Sequence, residues 1–457
     1  MEPAKINNGK DLRKKSSRKS HSLYEVNPNR PSVAEMISDS DNGRLPELVP
    51  IRHQRMSASP FAFYRATASI MARDLSYLSN TSLQVQAIGD CHLMNFGGFA
   101  TPERSLIFDV NDFDETHPAP FEWDLKRLAA SFVLAARHVK MSDASAKDTA
   151  YTLAQSYREN MATFASMSML DLWYMKFDLQ SIRKEAKNER AKRVLDATME
   201  KAQKSTHQQT LYKLTSNVLG TFEITEQKPL VYHLFDVKKD KAMIMQFMDE
   251  YRGTLQNDRR WLFDQYQVVD VALKVVGVGS VGTRCFVVLL INEKQEPLFI
   301  QVKEAGPSVL EAYTQKSIFN HNGQRVVEGQ RLVQAASDIF LGWSTGPLAG
   351  RHYYLRQLKD KKIGLDVENF DKDLLSSYAK LCGRMLARAH AKAGSAALLS
   401  SYMGSADVLD EAISEFAMKY ADQTEKDYDD FMKAVKSGKL EVKKDEAVTE
   451  LSLSSNQ

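Results

Sequence analysis

The chain has 457 residues, 43% hydrophobic and 26% charged, with 21 Gly, 13 Pro and 3 Cys, which excludes collagen-like, low-complexity and wholly disordered chains. Lys plus Arg number 61 against 58 Asp plus Glu, a formal charge of +3, so no whole-chain field points to a nucleic-acid partner. Cys91, Cys285 and Cys382 lie far apart without a CxxC pair, so neither a disulfide framework nor a zinc site is expected, and a reducing cytoplasm fits.

No apolar run approaches the ~18–20 residues that span a bilayer, and the N-terminus lacks a signal-peptide core; a cytoplasmic protein is expected. Residues 1–45 begin with Lys5, Lys10, Arg13, Lys14, Lys15, Arg18 and Lys19 and read as a disordered basic arm, a solvated tail that aids solubility, with weak contacts to an anionic partner such as RNA or lipid head groups as the alternative. Residues 61–79 carry apolar positions at helical spacing, and TSLQVQAIGD (81–90) alternates like a strand. Residues 95–113 read as a hairpin, and from Trp123 the pattern is helical to about residue 215.

At about residue 265 the texture changes. Three β-branched, apolar runs divided by a glycine turn and by NEKQEP predict an antiparallel meander. A helix over 323–337 follows, then strands DIFLGW and RHYYLRQL, then helices over 371–393 and 405–434. The expected organisation is a mainly helical part over 46–264, a β-rich part over 265–360, completing helices over 361–435, and a disordered tail over 436–457. The fold class expected is α+β.

Two constellations carry chemistry. The first is Gly89-Asp90-Cys91-His92-Leu93-Met94-Asn95, followed by Asp109, Asn111, Asp112, Asp114, Glu115 and Asp124. An Asp and an Asn five residues apart in a loop, then an Asp at a hairpin end, are the parts phosphoryl transfer needs: one carboxylate for the attacking hydroxyl, an amide and a second carboxylate for Mg²⁺. Asp90 is the expected base, Asn95 a metal ligand, and Asp112 is preferred over Asp109 as the second. Asp124 is expected to anchor the loop, and His92 to be structural. Arg127 and Lys126 are read either as contacts for substrate anions or as a solvated helix face.

The second constellation is Gly277-Val278-Gly279-Ser280-Val281-Gly282. It leads into another strand rather than a helix, which disfavours a dinucleotide fold and favours a flap of Gly277, Gly279, Ser280 and Gly282 over nucleotide phosphates. Lys303 sits in the apolar strand LFIQVKEA and needs an anionic partner there; an edge-strand lysine facing water is the bland alternative. A nucleotide's α- and β-phosphates are its expected contact, with Glu328 as the steadying glutamate and Glu311 as the alternative.

Together these residues resemble the protein-kinase-like fold, most closely its aminoglycoside and small-molecule phosphotransferase branch. That branch carries His-Gly-Asp-x-His-x-x-Asn, Ile-Asp-Phe and Asp-Leu-Ala; here stand Ile88-Gly89-Asp90-Cys91-His92-Leu93-Met94-Asn95, Asn111-Asp112-Phe113 and Trp123-Asp124-Leu125, with Ile88 departing from the usual histidine. The strings GDxHxxNFG, NDFDE and WDLKRLA resemble, over most of residues 50–435, an uncharacterised bacterial domain-of-unknown-function family. The resemblance implies two lobes, ATP and Mg²⁺, and transfer of phosphate to a hydroxyl of a small molecule or protein. Nucleotidyl transfer and a non-catalytic nucleotide-binding module are the rival readings. The glycine turn and Lys303 follow the Asp90 loop rather than precede it, which a circular permutation explains, with the chain opened between the helix containing YAKLCGRMLARAHAKAG (378–394) and that loop.

Overall fold

The structure is a computed structural model that describes residues 9–204, 211, 214–218, 221–275, 277–347, 350–358 and 367–443. It is of the α+β class. Most of the tail expected over 436–457 lies outside the described residues; Leu440 within it is buried against the helix Val408–Lys436.

Strands β1 (Gln84–Ala87), β2 (Phe96–Ala100), β3 (Leu106–Val110) and β4 (His117–Pro120) form two small antiparallel pairs, β1 with β4 and β2 with β3. The helix Phe121–His138 runs from β4 and is buried at every position from Phe121 to Ala136. Helices Asp143–Ala165, Lys372–Lys392, Ala396–Met403 and Val408–Lys436 supply the same apolar cluster with it. Because helices surround it, this helix keeps no solvated stripe, and its charged side chains must find partners inside.

Strands β5 (Thr215–Val218) and β6 (Thr221–Ile224) make a further hairpin inside the part expected to be mainly helical over 46–264, where β-branched residues recur between Thr215 and Ile224. β7 (Val231–Tyr232), β8 (Tyr266–Lys274), β9 (Cys285–Asn292), β10 (Pro297–Glu304), β11 (Gly342–Thr345) and β12 (His352–Gln357) form one antiparallel sheet in the order β11-β12-β10-β9-β8-β7. The expected meander is β8–β9–β10. β9 is apolar throughout because both faces are covered. Val288 and Leu290 face a cluster with Ile244, Met248, Tyr251 and Phe263. Val287, Leu289 and Ile291 face Ile224 of β6 and Leu211. The helices Lys241–Gly253 and Asn257–Phe263 therefore pack with this sheet, and the β-rich part begins well before residue 265.

The described part of residues 1–45 is folded. Residues Gly9–Lys15 are helical, and Arg13 donates to the carbonyls of Tyr402 and Ser401 (both 2.7 Å) while Arg18 donates to that of Met403 (2.6 Å). Arg30, nearly out of solvent, joins Asp74 and Asp427. The basic residues cap a helix end 385 residues away instead of trailing in water. Cys91, Cys285 and Cys382 are buried and unbonded. Among the described residues no helix is long and apolar enough to cross a membrane.

Candidate functional site

The Asp90 loop is shaped by two constraints. Gly89 sits at φ +84°, and a Cβ on it would lie 2.3 Å from the Glu115 carbonyl oxygen, so the position admits only glycine. Asp124, in the first turn of the helix Phe121–His138 and 1% exposed, accepts from the Ile88 and Gly89 amides (2.6 and 3.0 Å) and lies 3.1 Å from His390 Nε2. It anchors the loop, as expected.

Within the loop, Asp90 is 23% exposed at its side chain. Arg127 donates to Asp90 Oδ1 through Nε (2.9 Å) and Nη2 (2.5 Å) and stacks over Tyr64, 4.5 Å from the ring centre. Oδ2 lies 3.7 Å from His92 Nε2. Burial drives the His92 pKa down to about 4, so at neutral pH the imidazole is uncharged, consistent with a structural role. Arg127 is thus neither on a solvated face nor free to meet substrate. Lys126 is equally buried, over the Phe416 ring at 4.3 Å, with its pKa lowered by desolvation to about 8.

Asn95 donates its side-chain amide to the Asp90 carbonyl (2.7 Å), and its own carbonyl receives the Asn111 amide (2.8 Å). The end of the loop is therefore stitched to the segment that carries Asp112 and Asp114.

Lys303 lies on β10, between β9 and β12, and is not an edge residue. Its cross-strand neighbours are Cys285 and Tyr354, and its ammonium is 2.6 Å from Asp114 Oδ2 and 3.5 Å from Asp112 Oδ1. Burial opposes its charge, but Asp112 and Asp114 together hold its pKa well above the ordinary lysine value. Tyr354 donates to Asp114 Oδ1 (2.5 Å) and Ser280 Oγ lies 3.5 Å from Asp114 Oδ2. The glycine turn, Lys303 and the Asn111–Glu115 segment thus meet at one point. Gly282 (φ +87°) is pinned from the N-terminal side: Leu45 donates to its carbonyl (2.8 Å) and Arg44 to that of Val281 (2.5 Å).

Three expectations are corrected. Asp109 is 0% exposed, and both its carboxylate oxygens are committed to Arg388 (2.7 and 2.9 Å), one of them also to the Ala335 amide (2.9 Å), rather than open to a ligand. Glu328 pairs with Arg331 (3.0 Å) and does not steady Lys303. Glu311 accepts from the Ser317 amide (3.1 Å) and does not do so either. The partner came from the hairpin end itself: Asp114, two residues beyond Asp112, was in the acidic cluster but had no assigned role.

The carboxylates of the Asn111–Glu115 segment gather one cation, the Lys303 ammonium. Among the described residues no group of three or more His, Cys, Asp or Glu could hold a metal ion.

The helix Lys372–Lys392 ends beside the loop. The Gln86 amide of β1 donates to the Ala393 carbonyl (3.3 Å), and Tyr378 donates to the carbonyls of Leu93 and Phe96 (2.8 and 3.1 Å).

Residues 44–434 match one family, described as "Uncharacterized protein conserved in bacteria (DUF2252)". The chain belongs to that family. Its span takes in Arg44, which pins the glycine turn, the Asp90 loop, Lys303 and the helix Val408–Lys436 almost to its end. No curated protein and no solved structure matches.

Proposed function

We propose that this member of the family is a phosphotransferase that moves the γ-phosphoryl group of ATP, with Mg²⁺, to a hydroxyl of a small molecule or protein. The observation that carries the reading is the meeting of Lys303 with Asp112 and Asp114 beside the glycine turn, across 189 residues of sequence. Phosphoryl transfer asks a protein mainly for positioning and charge, and these groups supply both.

Lys303, buried and charged, holds the α- and β-phosphates, with the backbone of Gly277–Gly282 and Ser280 above them. Asp112 and Asn95 hold Mg²⁺, which when bound offsets phosphate charge. Arg127 fixes Asp90 Oδ1, so Oδ2 is the oxygen that receives the acceptor's proton as its hydroxyl oxygen bonds to the γ-phosphorus and ADP leaves with the bridging oxygen's electron pair. His92, neutral beside it, does not compete for that role.

The reading includes a kinase-like, two-lobed architecture in permuted order. In support, Ala393, just past the helix Lys372–Lys392, bonds to the strand that leads into the Asp90 loop, so a direct connection there would need little movement.

The test is Asp90→Asn. Acceptor-free ATP hydrolysis, followed as phosphate release, should fall on the order of 10²-fold or more, the usual worth of a general base, while Mg-ATP affinity stays close to wild type. Unchanged turnover in a folded Asp90→Asn protein removes Asp90 from the mechanism.

A further inference from the structure

Arg65 ends the short helix Pro60–Arg65 and has no part in the site as built above. Its Nε is out of solvent with no hydrogen-bond partner, and it forms no ion pair among the described residues. Its guanidinium lies over Phe61, 6.0 Å from the ring centre. The residue is partly exposed, so its guanidinium, with Nε desolvated and no carboxylate against it, is open to an anion from outside the chain.

Its position says which anion. The Tyr64 carbonyl receives Arg127 Nη2 (3.1 Å), the same nitrogen that binds Asp90, and Tyr64 donates to the Arg127 carbonyl (2.7 Å). One residue on, the Arg65 carbonyl lies 3.5 Å from where a Gly279 Cβ would stand. Residues 64 and 65 therefore bridge the Asp90 loop and the glycine turn. The Arg65 guanidinium is close enough for the Asp90 charge to act on it, and its own charge helps lower the His92 pKa.

We propose that Arg65 forms a phosphoryl subsite between the glycine turn and Asp90, where it binds the terminal phosphate of the nucleotide. This rests on the phosphotransferase reading and gives it a second cation besides Lys303. A planar guanidinium matches two phosphoryl oxygens at once, which an ammonium cannot.

The experiment is calorimetric titration of the full chain, as wild type, Arg65→Met and Arg65→Lys, with Mg-ATP, Mg-ADP and inorganic tripolyphosphate, alongside ligand-free thermal unfolding. Arg65→Met should weaken ATP and tripolyphosphate by about 10-fold or more and ADP by much less, with Arg65→Lys between, as for loss of a charge-assisted bond. The ligand-free Arg65→Met protein should unfold close to the wild-type temperature, because a partly exposed arginine without an ion pair adds little to the fold. A structural arginine would instead lower that temperature, and this outcome overturns the proposal. Equal losses for ATP and ADP, or none, also overturn it while leaving the phosphotransferase reading in place. Tripolyphosphate binding that depends on Arg65, with no added affinity for ATP over it, keeps the phosphoryl subsite and removes the nucleotide. Wild-type protein that binds none of the three removes both.

Discussion

Asp112 and Asp124 are both aspartates of the acidic stretch, and their substitution by asparagine should have opposite consequences. Asp124, 1% exposed, accepts two backbone amides at 2.6 and 3.0 Å and faces His390 at 3.1 Å. Asparagine keeps one oxygen and turns an NH₂ toward a donor, so one charge-assisted bond is lost and one buried N–H is left unpaired, together about 3 kcal/mol. Against a typical total of roughly 5–15 kcal/mol that is a large fraction. Asp112 is 36% exposed, and Lys303 keeps its shorter contact to Asp114, so Asp112→Asn should cost under about 1 kcal/mol while weakening Mg-ATP binding. Urea unfolding of both variants, with Mg-ATP titration of each, measures the contrast. If Asp124→Asn matches wild-type stability, or if Asp112→Asn is as damaging to the fold, the division between an anchoring and a ligand-facing aspartate is wrong.

Gly89→Ala places a Cβ against the Glu115 carbonyl at positive φ and should cost about 2–4 kcal/mol, seen as a lower unfolding midpoint and poor soluble yield. Glu115 has its pKa pushed up to about 7, chiefly by burial, with Arg325 opposing. Its protonated form is thus the one the fold prefers: the stability it contributes is full below about pH 4.5 and is lost as pH rises to about 7. Comparing urea midpoints over that window, Glu115→Gln should remove a decline on the order of 2 kcal/mol. Replacing Arg13 and Arg18 together by Ala removes three bonds to the carbonyls of Ser401, Tyr402 and Met403. It should cost about 1–3 kcal/mol and open the N-terminal segment to limited proteolysis.

The meander was legible because β9 carries CFVVLLIN without a polar break, and such a run between turns has few other uses. Asp124 as a loop anchor was legible from its place at a helix start just after the acidic hairpin. The N-terminal segment was not, because lysines and arginines among small polar residues look solvated until their partners, Asp74, Asp427 and the carbonyls near residue 402, are brought back by the fold. The same limit hid the Lys303 partner: a search along the following helix for a glutamate cannot detect an aspartate nearly two hundred residues earlier. Arg127 and Lys126 misled for a different reason. Charges at the start of a helix signal solvent unless neighbouring helices cover every side, and the helix Phe121–His138 is covered. Asp109 lies within β3, where it meets Arg388, while Asp112 lies in the loop two residues past the strand's end, where it meets Lys303.

The central claim is that the junction of Lys303, Asp112, Asn95 and the glycine turn binds a nucleotide with Mg²⁺. Thermal unfolding of the full chain with and without millimolar Mg-ATP tests it most directly. A ligand at a hundred times its dissociation constant stabilises by ~2.7 kcal/mol, so the unfolding midpoint should rise clearly in wild type and stay unmoved by Mg-ATP in Lys303→Met. An unchanged midpoint in wild type at saturating Mg-ATP, with or without an excess of Mg²⁺, contradicts the account.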